Sequence, residues 1–134
     1  MTAAEIALLA LRILLAAAFV GMGVAHFLPG PARGMRAMIP GALRRPGLPS
    51  PAALVALTGV CEIAGGLGLL APWAPLRAAA GIALAVFLVA VFPANAVAAR
   101  DPERFGRAAI PLVPRAIAQL LLIALVLLAG LAPV

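Results

Sequence analysis

The fold is decided by the stretch AEIALLALRILLAAAFVGMGVAHF, residues 4–27, whose apolar run is interrupted within the span by Arg12. About 20 apolar residues are needed to cross the ~30 Å hydrocarbon core of a bilayer as a helix, so this stretch is long enough. Three further stretches qualify, and they cover residues 52–70, 76–99 and 109–131. The length and number of these stretches favour membrane spans over buried helices of a soluble protein. The sequence therefore predicts an all-α fold, an integral membrane four-helix bundle that forms a single domain over residues 1–134.

The composition supports the same interpretation. Hydrophobic residues make up 66% of the 134 residues and charged residues only 10%. A soluble protein of this size needs a larger share of charged side chains to cover its surface. In a bilayer the lipid tails solvate an apolar exterior, so the predicted partner of most of the surface is lipid.

The charge of the chain is strongly basic, with ten arginines, four acidic residues and a net charge of +6. A basic excess is also typical of nucleic-acid-binding proteins, but the sequence has no nucleic-acid motif and no nucleic-acid partner is predicted. Arginines instead collect in the cytoplasmic loops of membrane proteins. The first and third loops hold seven of them: Arg33, Arg36, Arg44, Arg45, Arg100, Arg104 and Arg107. We therefore predict that loops one and three are cytoplasmic and that both termini lie outside.

The first loop also contains a short apolar patch. Residues 34–39 predict an interfacial turn, with Met35, Met38 and Ile39 immersed in the lipid.

Ionisable residues inside the spans are the strongest functional signal, because a charge at mid-membrane costs about 2.5–3.5 kcal/mol on insertion scales. Counted at ~1.5 Å per residue from the span boundaries, Arg12 and Glu62 reach nearly the same depth. We therefore predict an Arg12–Glu62 ion pair, which serves either as a functional site or only as a lock on helix register. Gln119 reaches a similar level and is expected to bond to either residue, or else to serve in packing.

A second polar layer is predicted nearer the cytoplasm. His26 closes the first span and Asn95 lies near the end of the third, while Thr58 and Arg115 approach from the other two spans. Each has a simpler interpretation as well. Asn95 follows Pro93 and could repair the hydrogen bond that the proline removes. The Arg115 side chain is expected to extend to the interface, and Thr58 to make a packing bond.

Several kinds of site are excluded or not indicated. A single histidine excludes a bis-histidine haem within one chain, and the lone Cys61 excludes an internal disulfide. No phosphate-binding loop, nucleophile motif or metal-binding motif is present. No metal or cofactor is therefore evident from the residues, and catalytic residues remain unknown.

Three segments resemble the DoxX family of small bacterial membrane proteins. They read LRILLAAAFVGMGVAHF at 11–27, LTGVCEIAGGLGLL at 57–70 and VFPANAVAA at 91–99, and the Arg115-to-Gln119 spacing is similar too. The resemblance implies a four-helix bundle in the bacterial plasma membrane. It also implies association with quinone or thiol redox complexes, since the name-giving relatives are linked to a thiosulfate:quinone oxidoreductase. The polar positions that recur in the family correspond to Arg12, His26, Glu62 and Asn95.

Three functions are compatible with these observations. The first, favoured by the resemblance, is a redox-associated subunit that binds a quinone-like lipophile and works with a redox partner protein. The second is a carrier or permease for a small lipophilic solute, for which four spans predict a homodimer. The third is a structural or adaptor subunit. On its own the chain is not expected to be an enzyme.

Overall fold

The computed structural model describes residues 1–133, and its secondary structure over that range is helical without strands. Four of the helices are long and apolar enough to cross a membrane, which confirms the predicted all-α four-helix bundle. In chain order the helices are α1 (Ala3–Ala25), α2 (Pro29–Ala37), α3 (Pro51–Gly68), α4 (Ala74–Ala99), α5 (Pro102–Phe105) and α6 (Leu112–Leu131). The spanning helices are α1, α3, α4 and α6, and α2 and α5 are short helices within the two long loops.

Local sequence signals set the starts of two spanning helices. At α1 the Thr2 hydroxyl accepts a hydrogen bond from the Glu5 N–H, while the Glu5 carboxylate accepts one from the Thr2 N–H, which is a capping box. At α3 the Ser50 hydroxyl accepts from the Ala53 N–H, and Pro51 occupies the first helical position. The ends of all four spanning helices lie within three residues of the predicted boundaries.

Glycines bring α1 and α3 into backbone contact. A Cβ atom at Gly23 would lie 2.6 Å from the Ile63 side chain and 2.7 Å from the Gly59 carbonyl oxygen. A Cβ atom at Gly59 would in turn lie 2.7 Å from the Cβ of His26. Only glycine permits this approach, which is the usual way in which helices pack closely within a membrane.

A second glycine contact joins α4 to α6. A Cβ atom at Gly81 would lie 2.7 Å from the Val126 carbonyl oxygen, and one at Gly130 would lie 2.9 Å from the Cα of Gly81. Since α3 also packs against α4, the helices form a continuous row in the order α1, α3, α4, α6, with only slight contact between α1 and α6.

The two ends of the bundle differ in packing. We call the end with both chain termini and the turn between α3 and α4 the terminal end, and the end with residues 26–50 and 100–111 the arginine-rich end. The half toward the terminal end is filled by a continuous apolar core, whose larger side chains are Leu15, Phe19, Leu69, Leu84 and Val126. Leu69 and Val126 are 0% exposed, so this half of the bundle is closed.

The glycine contact predicts a position-specific effect of adding one methyl group. We expect Gly23→Ala to lower the free energy of unfolding by about 1–3 kcal/mol, because the new Cβ forces α1 away from α3. The matched control is Gly21→Ala on the same helix, where no atom lies within 4 Å of the new Cβ. The control is expected to gain roughly 0.5–1 kcal/mol from helix propensity. Unfolding of the purified protein in mixed detergent micelles measures both, and equal stabilities would contradict the proposed contact.

Candidate functional site

A cavity of about 630 Å³ lies in the half of the bundle toward the arginine-rich end. Its volume falls within the range of roughly 300–1,000 Å³ that is typical of small-molecule sites. All six helices or their flanking loops contribute to its wall. The polar side chains that line it are His26, Thr58, Glu62, Asn95, Arg104, Arg115 and Gln119. Most of the remaining wall is apolar, and it includes Phe19, Met22, Met35, Met38, Phe87 and Leu122.

One wall carries a close polar pair between α1 and α3. His26 Nε2 lies 2.7 Å from Glu62 Oε2, and both side chains are largely buried. The other ring nitrogen, Nδ1, donates to the Val55 carbonyl oxygen at 2.8 Å. Thr58 donates its hydroxyl hydrogen to the same carbonyl oxygen and lies 3.0 Å from Nδ1. The imidazole is thus fixed in orientation by α3 at both nitrogens.

These contacts define the protons of the pair. Nδ1 carries a hydrogen, because a carbonyl oxygen such as that of Val55 can only accept. One further proton then lies between His26 Nε2 and Glu62 Oε2. The pair is either an imidazolium with a carboxylate or an imidazole with a carboxylic acid, and it is electrically neutral in both forms. Giving that proton to a molecule in the cavity leaves the pair with a net charge of −1, and accepting a further proton leaves it with +1, so the charge of the ligand has to balance either transfer.

The opposite wall carries a second polar pair, between α6 and α4. Arg115 donates through Nη2 to Asn95 Oδ1 at 2.7 Å and through Nη1 to the Ala108 carbonyl oxygen at 3.0 Å. This overturns two sequence-based interpretations. The Arg115 side chain lines the cavity and is not simply extended into the interface, and Asn95 binds Arg115 and does not repair the helix at Pro93.

Gln119 contacts α4 close to Pro93. Pro93 has no N–H to donate to the preceding turn of α4. The carbonyl that lacks this donor is that of Val89, four residues earlier, whereas the Gln119 side-chain amide donates to the neighbouring carbonyl oxygen of Leu88. The expected bond from Gln119 to Arg12 or Glu62 is therefore wrong, although Gln119 does line the cavity.

The predicted Arg12–Glu62 ion pair is also wrong. Arg12 is buried at the terminal end, where its Nε donates to the Ala129 carbonyl oxygen at 2.9 Å and its Nη2 to that of Ala132 at 3.3 Å. These carbonyls belong to the last turn and C-cap of α6, where intrahelical donors are lacking. Arg12 thus caps a helix and does not line the cavity.

The error arose from the estimate of depth. Gly23 of α1 lies against Gly59 of α3, and Ala16 lies against Gly66. Moving back seven residues along α1 therefore moves the contact forward seven residues along α3. By that register Arg12 lies opposite residue 70, eight residues beyond Glu62. Eight residues correspond to about 12 Å along a helix, too far for an ion pair.

The first loop contributes to the cavity as well. The predicted interfacial turn is a helix that begins earlier, at Pro29, and packs against α3 with Ala32 buried. Met35, Met38 and Ile39 line the cavity and are only partly buried, so their immersion in lipid stays a prediction. Arg44 fixes this arrangement by donating hydrogen bonds to the carbonyl oxygens of Arg36 and Ile39.

Of the five predicted site residues, the cavity brings together four, namely His26, Glu62, Asn95 and Gln119, and excludes Arg12. Arg104 was not predicted to belong to a site, and its exposed position in a loop gave no signal. Within residues 1–133 no cluster of three His, Cys, Asp or Glu side chains is placed to hold a metal ion. That these residues form a functional site stays a prediction, and the structure defines the geometry in which they lie.

These features define a class, a helical membrane protein with a polar cavity inside its bundle. A family model described as "Domain of unknown function (DUF8561)" matches residues 15–130, and the chain belongs to this family. Comparisons with curated proteins and with solved structures gave no significant match. The matched range includes every residue of the two polar pairs and leaves out Arg12.

The tautomer of His26 is directly testable, because the chain has one histidine and all imidazole signals arise from it. Nitrogen-15 NMR of histidine-labelled protein is expected to show a hydrogen on Nδ1. Glu62→Gln is expected to leave the hydrogen on Nδ1 in place. The imidazole should then be neutral, without a hydrogen on Nε2, because the carboxyl group that shares the Nε2 proton is gone.

The control for this measurement is Thr58→Val. It removes the hydroxyl near Nδ1 but leaves the Val55 carbonyl oxygen as an acceptor, so the tautomer is expected to persist. A wild-type spectrum with the hydrogen on Nε2 and none on Nδ1 would contradict the geometry.

Proposed function

We propose that this protein binds a quinone-type lipophile in the cavity and acts as a redox-associated membrane subunit. The observation that carries the proposal is the placement of two polar pairs, His26–Glu62 and Arg115–Asn95, on the walls of one largely apolar cavity. A ligand with carbonyl oxygens on an apolar ring and tail matches both kinds of lining.

The chemistry of the two pairs supports this ligand class. Arg115 is a donor that cannot be deprotonated, so it suits a carbonyl oxygen. The His26–Glu62 pair holds a proton within the same cavity, which suits a molecule whose reduced form takes up protons. Methionine and phenylalanine side chains, which adapt to flat or irregular apolar groups, supply much of the rest of the wall.

The proposal assigns binding and proton exchange to this chain and electron transfer to a redox partner protein. The resemblance to the DoxX family remains a prediction from sequence, and it is the source of the redox part of the proposal. The bundle then lies in the bacterial plasma membrane with the arginine-rich end in the cytoplasm, as the distribution of arginines favours. In that orientation the ligand and the proton reach the cavity from the cytoplasmic half.

The alternatives are less well supported. A permease needs a path from one side to the other, but the closed core of Leu69, Leu84 and Val126 separates the cavity from the terminal end. The structural alternative relied on an Arg12–Glu62 lock that does not form. A homodimer was expected for the permease and is not required by a single-chain cavity.

Filling the cavity is expected to weaken ligand binding. In nanodiscs of neutral lipid, Ala94→Phe should bind decylubiquinone at least about tenfold more weakly than wild type, a loss of ~1.4 kcal/mol or more. Ala94 lines the cavity, so the added ring occupies space that the ligand needs. Native mass spectrometry and titration calorimetry measure retained quinone and affinity.

The matched control is Ala83→Phe, an exposed position on the same helix that is expected to bind as wild type does. Ala18→Phe, on the α1 wall, is a second cavity variant in case Ala94→Phe disturbs the helix near Pro93. Equal quinone binding by wild type and by both cavity variants would overturn the proposal.

A further inference from the structure

The charges around the cavity define the head group of its ligand more closely, an inference that rests on the proposed function. Four charged or titratable side chains line the cavity: His26, Glu62, Arg104 and Arg115. The first two share one proton and are neutral together, as argued above. The two arginines therefore leave the wall with a net positive charge.

Arg115 is the more informative of the two. It is half-buried, and the partners at its two terminal nitrogens, Asn95 and the Ala108 carbonyl, are neutral groups. A half-buried guanidinium with neutral partners keeps its full charge inside a largely apolar cavity. A negative group on the ligand would compensate that charge with strong, charge-assisted hydrogen bonds.

The position of Arg115 on its helix points the same way. It lies in the first turn of α6, where Pro111 caps the helix without a side-chain hydrogen bond and no acidic residue is present. The N-terminal end of a helix carries a partial positive charge, so a cation there is unfavourable and an anion favourable. The N-terminal end of α6 thus adds to the positive potential that Arg115 creates.

The surroundings extend this potential to the opening. All arginines except Arg12 and Arg77 lie at the arginine-rich end, where the acidic residues of the loops are only Asp101 and Glu103. Exposed Arg104 lines the cavity itself, with its guanidinium 5.2 Å from the centre of the Phe105 ring. A field of one sign at the mouth of a cleft raises the local concentration of ligands of opposite charge.

We propose that the cavity selects amphiphiles with a negatively charged head, and that Arg115 is the residue that binds the head. The carboxylate, or an ionised ring hydroxyl of a quinone-type molecule, lies against Arg115 and toward Arg104. The tail occupies the apolar wall formed by Phe19, Phe87 and Leu122 toward the closed half of the bundle. The His26–Glu62 pair contacts the ligand beside its head.

The test compares three probes with the same chain in nanodiscs of neutral lipid, namely dodecanoate at alkaline pH, dodecanol and dodecyltrimethylammonium. Wild type is expected to bind dodecanoate at least about tenfold more tightly than either other probe, since a hydrogen bond to a charged group is worth roughly twice a neutral one. Arg115→Gln is expected to lose this preference and Arg115→Lys to keep part of it. Arg107→Gln, at the same end but outside the cavity lining, is expected to keep all of it.

The outcomes separate the two proposals. If dodecanol binds as well as dodecanoate, or if Arg115→Gln keeps the preference, the anionic head group is wrong while a lipophile-binding cavity stands. If neither decylubiquinone nor any of the three probes binds to wild type, the proposed function itself fails. Repeating the measurement in nanodiscs with an anionic phospholipid distinguishes the source of the head. If that lipid competes with dodecanoate, the site is assigned to phospholipid head groups. If it does not compete, the site is assigned to single-chain acidic amphiphiles.

Discussion

The close approach of α1 to α3 at Gly23 and Gly59 is the constraint on which the site depends. His26 follows Gly23 by three residues, so the same contact that joins the backbones brings the imidazole against the Val55 carbonyl and Glu62. A wider separation would leave Glu62 in the bundle without its partner, and an unpaired buried acid is costly. Backbone packing and the polar pair are therefore two aspects of one interface.

The four spans were predictable because they depend on length and hydropathy, which are local properties of the sequence. The relative depth of Arg12 and Glu62 was not predictable, because the ends of an apolar run do not fix the register between two helices. That register follows from where glycines permit contact, such as Gly23 against Gly59 and Gly66 against Ala16. The small residues of α3 indicated close packing in the sequence, but their partners on α1 become evident only from the assembled bundle.

The cavity wall was partly missed for a related reason. A loop within a membrane protein is expected to turn away into water or lipid, and the interpretations of Met35 and Met38 followed that expectation. Here α2 folds back onto α3 and α5 onto α4, and both loops cover space that belongs to the bundle. Residues near helix ends, such as Arg115, then face a cavity where the sequence alone predicts an interface.

The two most informative arginines lie at opposite ends of α6, and the helix itself distinguishes their roles. Arg12 binds the carbonyls of Ala129 and Ala132 at the C-terminal end, where the partial charge of the helix is negative and a cation is stabilised. Arg115 lies in the first turn, where the partial charge is positive and a cation is disfavoured. The first arginine is accounted for by the fold alone. The second adds an unfavourable charge to the first turn of α6, and the proposed negatively charged head group would compensate that charge.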